Sequence, residues 1–390
     1  MTATRLTDSI QITSASLYLA FELGWNEWKL AFTTGLGQAP RMRSAPARDC
    51  QAVLAEIARA KERFGLPPDA PVHSCYEAGR DGFWLHRWLL AEGIDNLICD
   101  SASIEVNRRQ RRAKNDRLDA AKLVTMLCRY HGGDTKVWSV VTAPTAPAED
   151  LRQLHRELLS LKEERTAHVN RIKGLLASQG LAVVVIDANF PEVLPGLRLW
   201  DGSPLGPDLT ARLVREFERW QFVDRQIRDL ESDRRRRIRC DETPQVDKVR
   251  LLLGLRGVGL AGAWMLVMEL FGTRANLNRK QLGALVGMTP TPYQSGATAR
   301  EQGISKAGNR RLRTLMVELA WCWVRHQPDS DLTRWFHRRF GVGKRSRKVG
   351  IVALARKLLV AFGRYLDRGE VPKGAKLCSW RTKINGRTAA

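Results

Sequence analysis

The sequence predicts a multidomain protein, an α/β domain joined to an all-α remainder, and three observations predict it. Short apolar runs of strand character alternate with helical stretches up to about residue 140. Two long stretches of helical periodicity follow, separated by a segment rich in Pro and Gly. A further helical pattern, broken by a glycine turn, opens the C-terminal part. The expected divisions are residues 1–145, 146–242 and 243–390.

In the first division, "SLYLAFEL", "WKLAFTTG", "PVHSCYEAG" and "DNLICD" read as strands, and "GFWLHRWLLAEG" as a helix between the last two. The turn-like "GWNEW" between the first two runs predicts an antiparallel pair that opens a mixed sheet. Alternation along the first strand places Leu17, Leu19, Phe21 and Leu23 on one face, and Glu22 on the other with Tyr18 and Ala20. A carboxylate inside an apolar strand is costly unless it is paired or holds a cation.

Glu77 ends a second strand, and Asp116 and Asp119 are spaced to share one helix face. Four oxygen donors converging from a sheet and a helix suit Mg²⁺, a hard ion. The plainer readings are that Asp116 and Asp119 cap a helix and that Glu77 is a solvated strand end. The preceding "NRRQRRAKNDR" supplies Arg108, Arg109, Arg111, Arg112 and Lys114, a candidate grip on a phosphate backbone or a solvated basic helix.

In the second division, Leu151, Leu154, Leu158, Leu161, Ile172 and Leu175 fall at helical spacing. A second stripe, Leu209, Leu213, Phe217, Trp220, Val223, Ile227 and Leu230, spans about 207 to 238. Arg165 and His168 interrupt the first stripe, which leaves a helical pair or a partner-dependent coiled coil. "FPEVLPGLRLWDGSPLGPD" between them reads as a loop.

In the third, "LLLGLRGVGLAGAWMLVMEL" reads as a helix-hairpin-helix whose Gly257 and Gly259 either expose amides to a phosphate or merely turn the chain. Downstream, "TPYQSGATAREQGISKAGNRRLR" sets Ser295 beside Gly296 and ahead of Lys306, Arg310, Arg311 and Arg313. From these residues alone, Ser295 is either a loop serine or a reacting group.

Lys and Arg number 64 against 41 Asp and Glu, a formal net charge of +23, while 44% of the chain is hydrophobic. That combination points to a folded protein facing a polyanion, nucleic acid first. No apolar run approaches the roughly 18 to 20 residues of a spanning helix, and "MTATRLTDSI" has no signal-peptide core. The seven cysteines contain no C-x-x-C pair, which argues against a disulfide framework or a zinc site and fits a reducing cytoplasm. The seven histidines show no paired spacing, so ligand chemistry is expected from carboxylates.

Several ordered motifs then resemble the DEDD transposases of insertion sequence family one-ten across almost the whole chain. They are "YEAGRDGFWLHRWL", "VNRRQRRAKNDRLDAAKL", "LRGVGLAGAWMLVMELF", "LGALVGMTPTPYQSG", "GISKAGNRRLRTLMVELAW" and "KVGIVALARKLL". The resemblance implies a RuvC-like, RNase H-type first domain whose metal-binding tetrad maps to Glu22, Glu77, Asp116 and Asp119. Glu22 departs from the family's Asp by one methylene. The resemblance also implies that Ser295 attacks DNA and becomes linked to a phosphate, in an active site composed across subunits.

It further implies double-stranded DNA and a bridge RNA as partners, a dimer or tetramer paired through the helical arm, and a bacterial cytoplasm near the nucleoid. Sequence choice would then come from base pairing to the guide rather than from side chains, and no ATP site is expected. Two rival functions fit the same residues. One is a RuvC-like endonuclease that uses metal-activated water; the other is a non-catalytic nucleic-acid-binding protein, kept open by Glu22.

Overall fold

The computed structural model describes residues 15–104, 116–181, 185–272, 277–295 and 298–385. The chain divides into two compact units, Met1–Pro144 and Thr145–Ala390.

The first unit runs β1 (Leu17–Leu23), β2 (Glu27–Thr33), β3 (Arg41–Pro46), α1 (Cys50–Arg63), β4 (Val72–Glu77), α2 (Trp84–Ala91), β5 (Asp95–Cys99) and α3 (Asp116–His131). Among the described residues its five strands form one mixed sheet in the order β3-β2-β1-β4-β5. The pairs β1–β2 and β2–β3 are antiparallel, and β1–β4 and β4–β5 parallel. The expected antiparallel pair therefore opens a mixed sheet. Its turn needs Gly24, where any Cβ would collide with the Glu27 carbonyl oxygen. Strand β3 was not expected from the sequence: its polar "RMRSAP" has little apolar alternation and ends in proline, as an edge strand can.

Side-chain alternation divides two cores between the sheet faces. Leu17, Leu19 and Phe21 pack with Val53 and Ile57 of α1 and Leu85 and Leu89 of α2. Burying Phe21 and Phe32 stabilises the unit by about 1.5–3 kcal/mol each. On the opposite face, Ala20, Ala31, Cys75 and Cys99 meet Ala120, Leu123, Val124 and Leu127 of α3. These sheet residues are small, so α3 sits close, and Cys75 Sγ donates to the Leu123 carbonyl at 3.8 Å.

The second unit contains α4 (Ala146–Asp150), α5 (Gln153–Ala177), α6 (Phe190–Val193), α7 (Pro207–Cys240), α8 (Pro244–Leu253), α9 (Leu260–Leu266), α10 (Arg279–Leu285), β6 (Pro290–Ser295) and β7 (Thr298–Ile304). It ends with α11 (Arg310–His326), α12 (Asp331–Phe340), α13 (Lys344–Arg368) and α14 (Trp380–Asn385).

Helices α5 and α7 form a long antiparallel hairpin. Lys162 pairs with Glu231 at 2.7 Å, Arg165 with Asp224 at 2.8 Å and His168 with Glu216 at 2.7 Å. Numbers rise on one helix as they fall on the other, which fixes the direction. The residues that interrupt the apolar stripe are thus matched within the chain by acids on α7. The root of the hairpin (Leu154, Leu158, Leu161, Val223, Ile227) shares a core with Trp264, Trp323 and Phe362. Its tip has a separate cluster, Ile172, Leu176, Leu213 and Phe217 closed by Phe190 and Leu194, so the expected loop supplies a short helix and apolar cover.

Helix α9 continues into a π-helical turn, Val267–Phe271. Arg152 Nε donates to the Met268 carbonyl at 3.3 Å and Lys248 Nζ to the Phe271 carbonyl at 2.7 Å. Glu269, buried in that turn, accepts from His155 Nε2 at 2.9 Å and from Arg156 Nε and Nη2 at 2.8 and 3.0 Å. Among the described residues no helix is long and apolar enough to cross a membrane.

Candidate functional site

In the first unit, Glu22 lies near the end of β1 and Glu77 at the end of β4. Strands β1 and β4 pair in parallel from Leu17↔Val72 to Phe21↔Tyr76. One further step in that register would put Glu22 beside Glu77, at the roughly 4.8 Å spacing of neighbouring strands. Both follow the parity of Ala20 and Cys75, so both lie on the α3 face.

Helix α3 runs antiparallel to these strands: His131, its last residue, lies over Tyr18 and His73 at the strand starts, and Leu123 over Cys75. Moving from Leu123 back to Asp119 covers about 6 Å of helix, and moving from Cys75 to Glu77 covers about 6.6 Å of strand. The first turn of α3, which carries Asp119, thereby lies toward the strand ends that carry Glu22 and Glu77; of Asp116 only the backbone is described. Asp119 and Glu22 are half-buried and Glu77 is exposed. Like charges on neighbouring strand positions repel, and a cation between them relieves that. An all-carboxylate donor set suits a hard divalent ion such as Mg²⁺. Lys29, the cross-strand neighbour of Glu22, is held by Glu27 at 2.5 Å and Ser44 at 2.9 Å.

The turn after Glu22 carries a cationic platform that the sequence reading missed. Trp25 is 64% exposed, with the Arg48 and Arg80 guanidinium carbons each 4.9 Å from its ring centroid. Both arginines are bound to Asp81, and Arg48 takes a left-handed φ of 67°. A tryptophan within a polar turn was the available signal.

In the second unit, Ser295 is the last residue of β6 and pairs with Thr298 of β7. A mainly helical segment was expected there, yet β6 and β7 form an antiparallel hairpin. Pro290 and Pro292 mask the strand pattern, and the register slips between them. The two-residue, glycine-first link Gly296-Ala297 was the hairpin signal. Arg108, Arg109, Arg111, Arg112, Lys114 and Gly296 lie outside the described residues.

Lys306, Arg310 and Arg311 are exposed, and the two arginines open α11 directly after its cap, Asn309. Cations at the positive end of a helix dipole are unfavourable without an anion nearby, so this start is suited to phosphate. Arg313 is engaged differently: its Nη1 donates to the Lys306 carbonyl at 2.9 Å and the Val286 carbonyl at 3.2 Å. It braces the approach to α11.

The helix–turn–helix of α8 and α9 is present, with Gly257 and Gly259 playing different parts. Gly257 has φ +88°, and a Cβ there would meet His326 Cβ at 3.2 Å and the Cys322 carbonyl oxygen at 3.3 Å. It turns the chain against α11. Gly259 caps α9, is exposed, and a Cβ there would meet nothing within 4 Å. Lys383 Nζ donates to the carbonyls of Leu253, Leu255 and Val258 at 2.6–2.8 Å, which pins the turn from the C-terminal side.

Beside the base of the β6–β7 hairpin lies a groove of about 1090 Å³. Val349, Val352, Val360 and Trp335 make an apolar floor, with Arg279, Lys280, Arg345, Lys348 and Arg356 around it. Lys357 Nζ stands 4.5 Å from the Trp335 ring centroid. Helix α13, like α11, begins with cations and has no acid in its first turn. The run "KRSRK" that opens it is the sequence signal for this groove.

Residues 249–333, which hold this turn, Ser295 and the start of α11, match the family described as Transposase IS116/IS110/IS902. A putative transposase, y4rJ, of Sinorhizobium fredii is 37% identical over 384 residues, 94% of this chain and 96% of the relative. The chain belongs to this transposase family. Transposases of the insertion sequence elements IS1328 of Yersinia enterocolitica and IS1111A of Coxiella burnetii are 26% and 27% identical. Each covers 63% of this chain, and the matches cover 69% and 64% of those relatives. As a transposase of this family, the protein acts on DNA. The strand-end carboxylates, the hairpin serine and the basic helix starts are its candidate chemical and binding groups.

Proposed function

We propose that this transposase cuts and rejoins DNA strands by transesterification, with Ser295 as the nucleophile and a carboxylate centre of Glu22, Glu77, Asp116 and Asp119 in a RuvC-like first unit. The observation that supports this reading is the parallel register of β1 and β4, whose next step would bring Glu22 and Glu77 together on the face that α3 covers. The donors fit Mg²⁺, which when bound lowers the pKa of a coordinated hydroxyl and neutralises charge at phosphorus.

The chain's own groups do the rest. Attack of the Ser295 hydroxyl on a phosphodiester would expel a deoxyribose hydroxyl, which takes up the serine proton, and leave a phosphoserine link. The reverse attack by a DNA hydroxyl releases the serine and rejoins the strand, so no nucleotide hydrolysis is required. Lys306, Arg310 and Arg311 neutralise the phosphate backbone. Gly259 and the α13 groove offer further nucleic-acid contacts, and the groove, wide, basic and floored by apolar side chains, is our candidate seat for a bridge RNA. The α5–α7 hairpin is the candidate element for pairing protomers as a dimer or tetramer.

The test is strand exchange on element DNA with guide RNA and Mg²⁺. Ser295→Ala should abolish exchange while nucleic-acid affinity stays within about twofold; exchange retained in that variant removes the serine from the reaction.

A further inference from the structure

The α3-covered face carries a second cluster at the opposite end from the acids. In the sheet register Tyr18, His73 and Asp95 form a row across β1, β4 and β5. His131, the final residue of α3, lies over that row. His73 Nδ1 is 2.9 Å from Asp95 Oδ2, His131 Nε2 is 3.9 Å from the same oxygen, and the two imidazole centroids are 4.1 Å apart. Tyr18 stacks on His73 at 5.5 Å and meets His131 edge-on at 5.8 Å, which restrains both rings.

Donors bound to one tetrahedral ion at about 2.0–2.1 Å stand about 3.3 Å from each other. The separations of 2.9 and 3.9 Å straddle that value, so small side-chain rotations bring the three donors to one centre. Two imidazoles and a carboxylate are the ligands of a borderline divalent ion, unlike the all-oxygen set at the other strand ends. The imidazoles are 23% and 22% exposed and Asp95 52%, so an ion there is accessible from solvent on the Asp95 side.

We propose that His73, Asp95 and His131 form a zinc-class metal site that staples the last turn of α3 to the starts of β4 and β5. His73 and Glu77 are four residues apart on one strand, about 13 Å, so the site is separate from the carboxylate centre. Its effect on the reaction is positional: tying down one end of α3 fixes the helix whose other end bears Asp116 and Asp119. The histidines are 58 residues apart in sequence, which is why no spacing motif marks them.

The experiment uses the full chain, stripped with chelator and titrated with Zn²⁺ by calorimetry in excess Mg²⁺, with Co²⁺ absorption as a probe of geometry. The proposal expects Zn²⁺ binding that raises the thermal midpoint and a Co²⁺ spectrum of tetrahedral intensity. His131→Gln and the exposed-site Asp95→Asn should each weaken Zn²⁺ at least about tenfold, while Asp119→Asn binds it as the parent does. Equal Zn²⁺ affinity in parent, Asp95→Asn and His131→Gln overturns the site. So does binding lost in Asp119→Asn but kept in the other two, which would assign the ion to the carboxylate centre.

Discussion

Phe21 and Tyr76 are paired on the parallel strands β1 and β4, and Glu22 and Glu77 are the next residue on each strand. Two carboxylates brought together there would suit a shared cation, and α3 runs back from Leu123 so that Asp119 lies toward the same end of the sheet. Glu77→Gln and Asp119→Asn should each lower strand exchange by at least about 100-fold, since each removes a ligand charge where phosphoryl charge develops. Glu22→Gln should do the same, whereas Glu22→Asp keeps measurable turnover because only one methylene of reach is lost. Rates measured across Mg²⁺ concentrations check this, and a Glu22→Gln enzyme with parental rates would remove Glu22 from the centre.

Gly257 and Gly259 separate packing from binding within one turn. Gly257→Ala forces a side chain into a left-handed backbone against the Cys322 carbonyl. We expect a loss of about 1–3 kcal/mol, read as a lower melting temperature. Gly259→Ala meets open space at an ordinary φ of −90° and should change stability by less than about 0.5 kcal/mol. If a phosphate approaches the exposed start of α9, that same variant weakens DNA or RNA binding. Melting curves and binding isotherms on both variants decide the matter.

The basic start of α11 makes an ionic-strength prediction. Arg310→Gln combined with Arg311→Gln should reduce the slope of log affinity against log salt by about 1.8, at about 0.9 per phosphate contact. Arg313→Gln should leave the slope unchanged and lower stability instead, because its guanidinium is committed to the Lys306 and Val286 carbonyls. Titrations across salt concentrations distinguish the two behaviours.

A pH prediction follows from Glu269. Burial raises its pKa, but hydrogen bonds from His155 and Arg156, with the Arg156 charge, outweigh burial and bring it down to about 2. A carboxylate with a depressed folded-state pKa contributes stability that is fully present above its ordinary value, near 4.5, and is lost as pH falls toward about 2. Acid unfolding followed from pH 5 to pH 2 should therefore show a component that Glu269→Gln lacks. Glu269→Ala at neutral pH should cost about 3 kcal/mol, since it leaves buried His155 and partly exposed Arg156 without their acid.

Much of this was legible in sequence because periodicity records which side of an element is buried. Alternation in "LYLAFEL" placed Glu22 opposite Leu17, Leu19 and Phe21, and the two cores divide along that line. The long α5 and α7 were equally visible, and the polar breaks at Arg165 and His168 are met by Asp224 and Glu216 on the facing helix. What escaped was set by partners distant in sequence. Strand β3 and the prolyl β6 lack an apolar alternation, so only pairing with β2 and β7 makes them strands. The Trp25 platform depends on Arg48 and Arg80 arriving from separate loops, and the α13 groove on helices folding beside one another. The backbone bonds of Arg313 and the close packing around Gly257 likewise depend on partners distant in sequence.

The most direct measurement is to incubate the protein with element-end DNA, guide RNA and Mg²⁺, denature the mixture, and map by mass spectrometry any residue that carries a nucleotide. The account predicts an adduct on Ser295 in the parent and none in Ser295→Ala or Asp119→Asn. Cleaved DNA with no adduct, or an adduct on another residue, would contradict it.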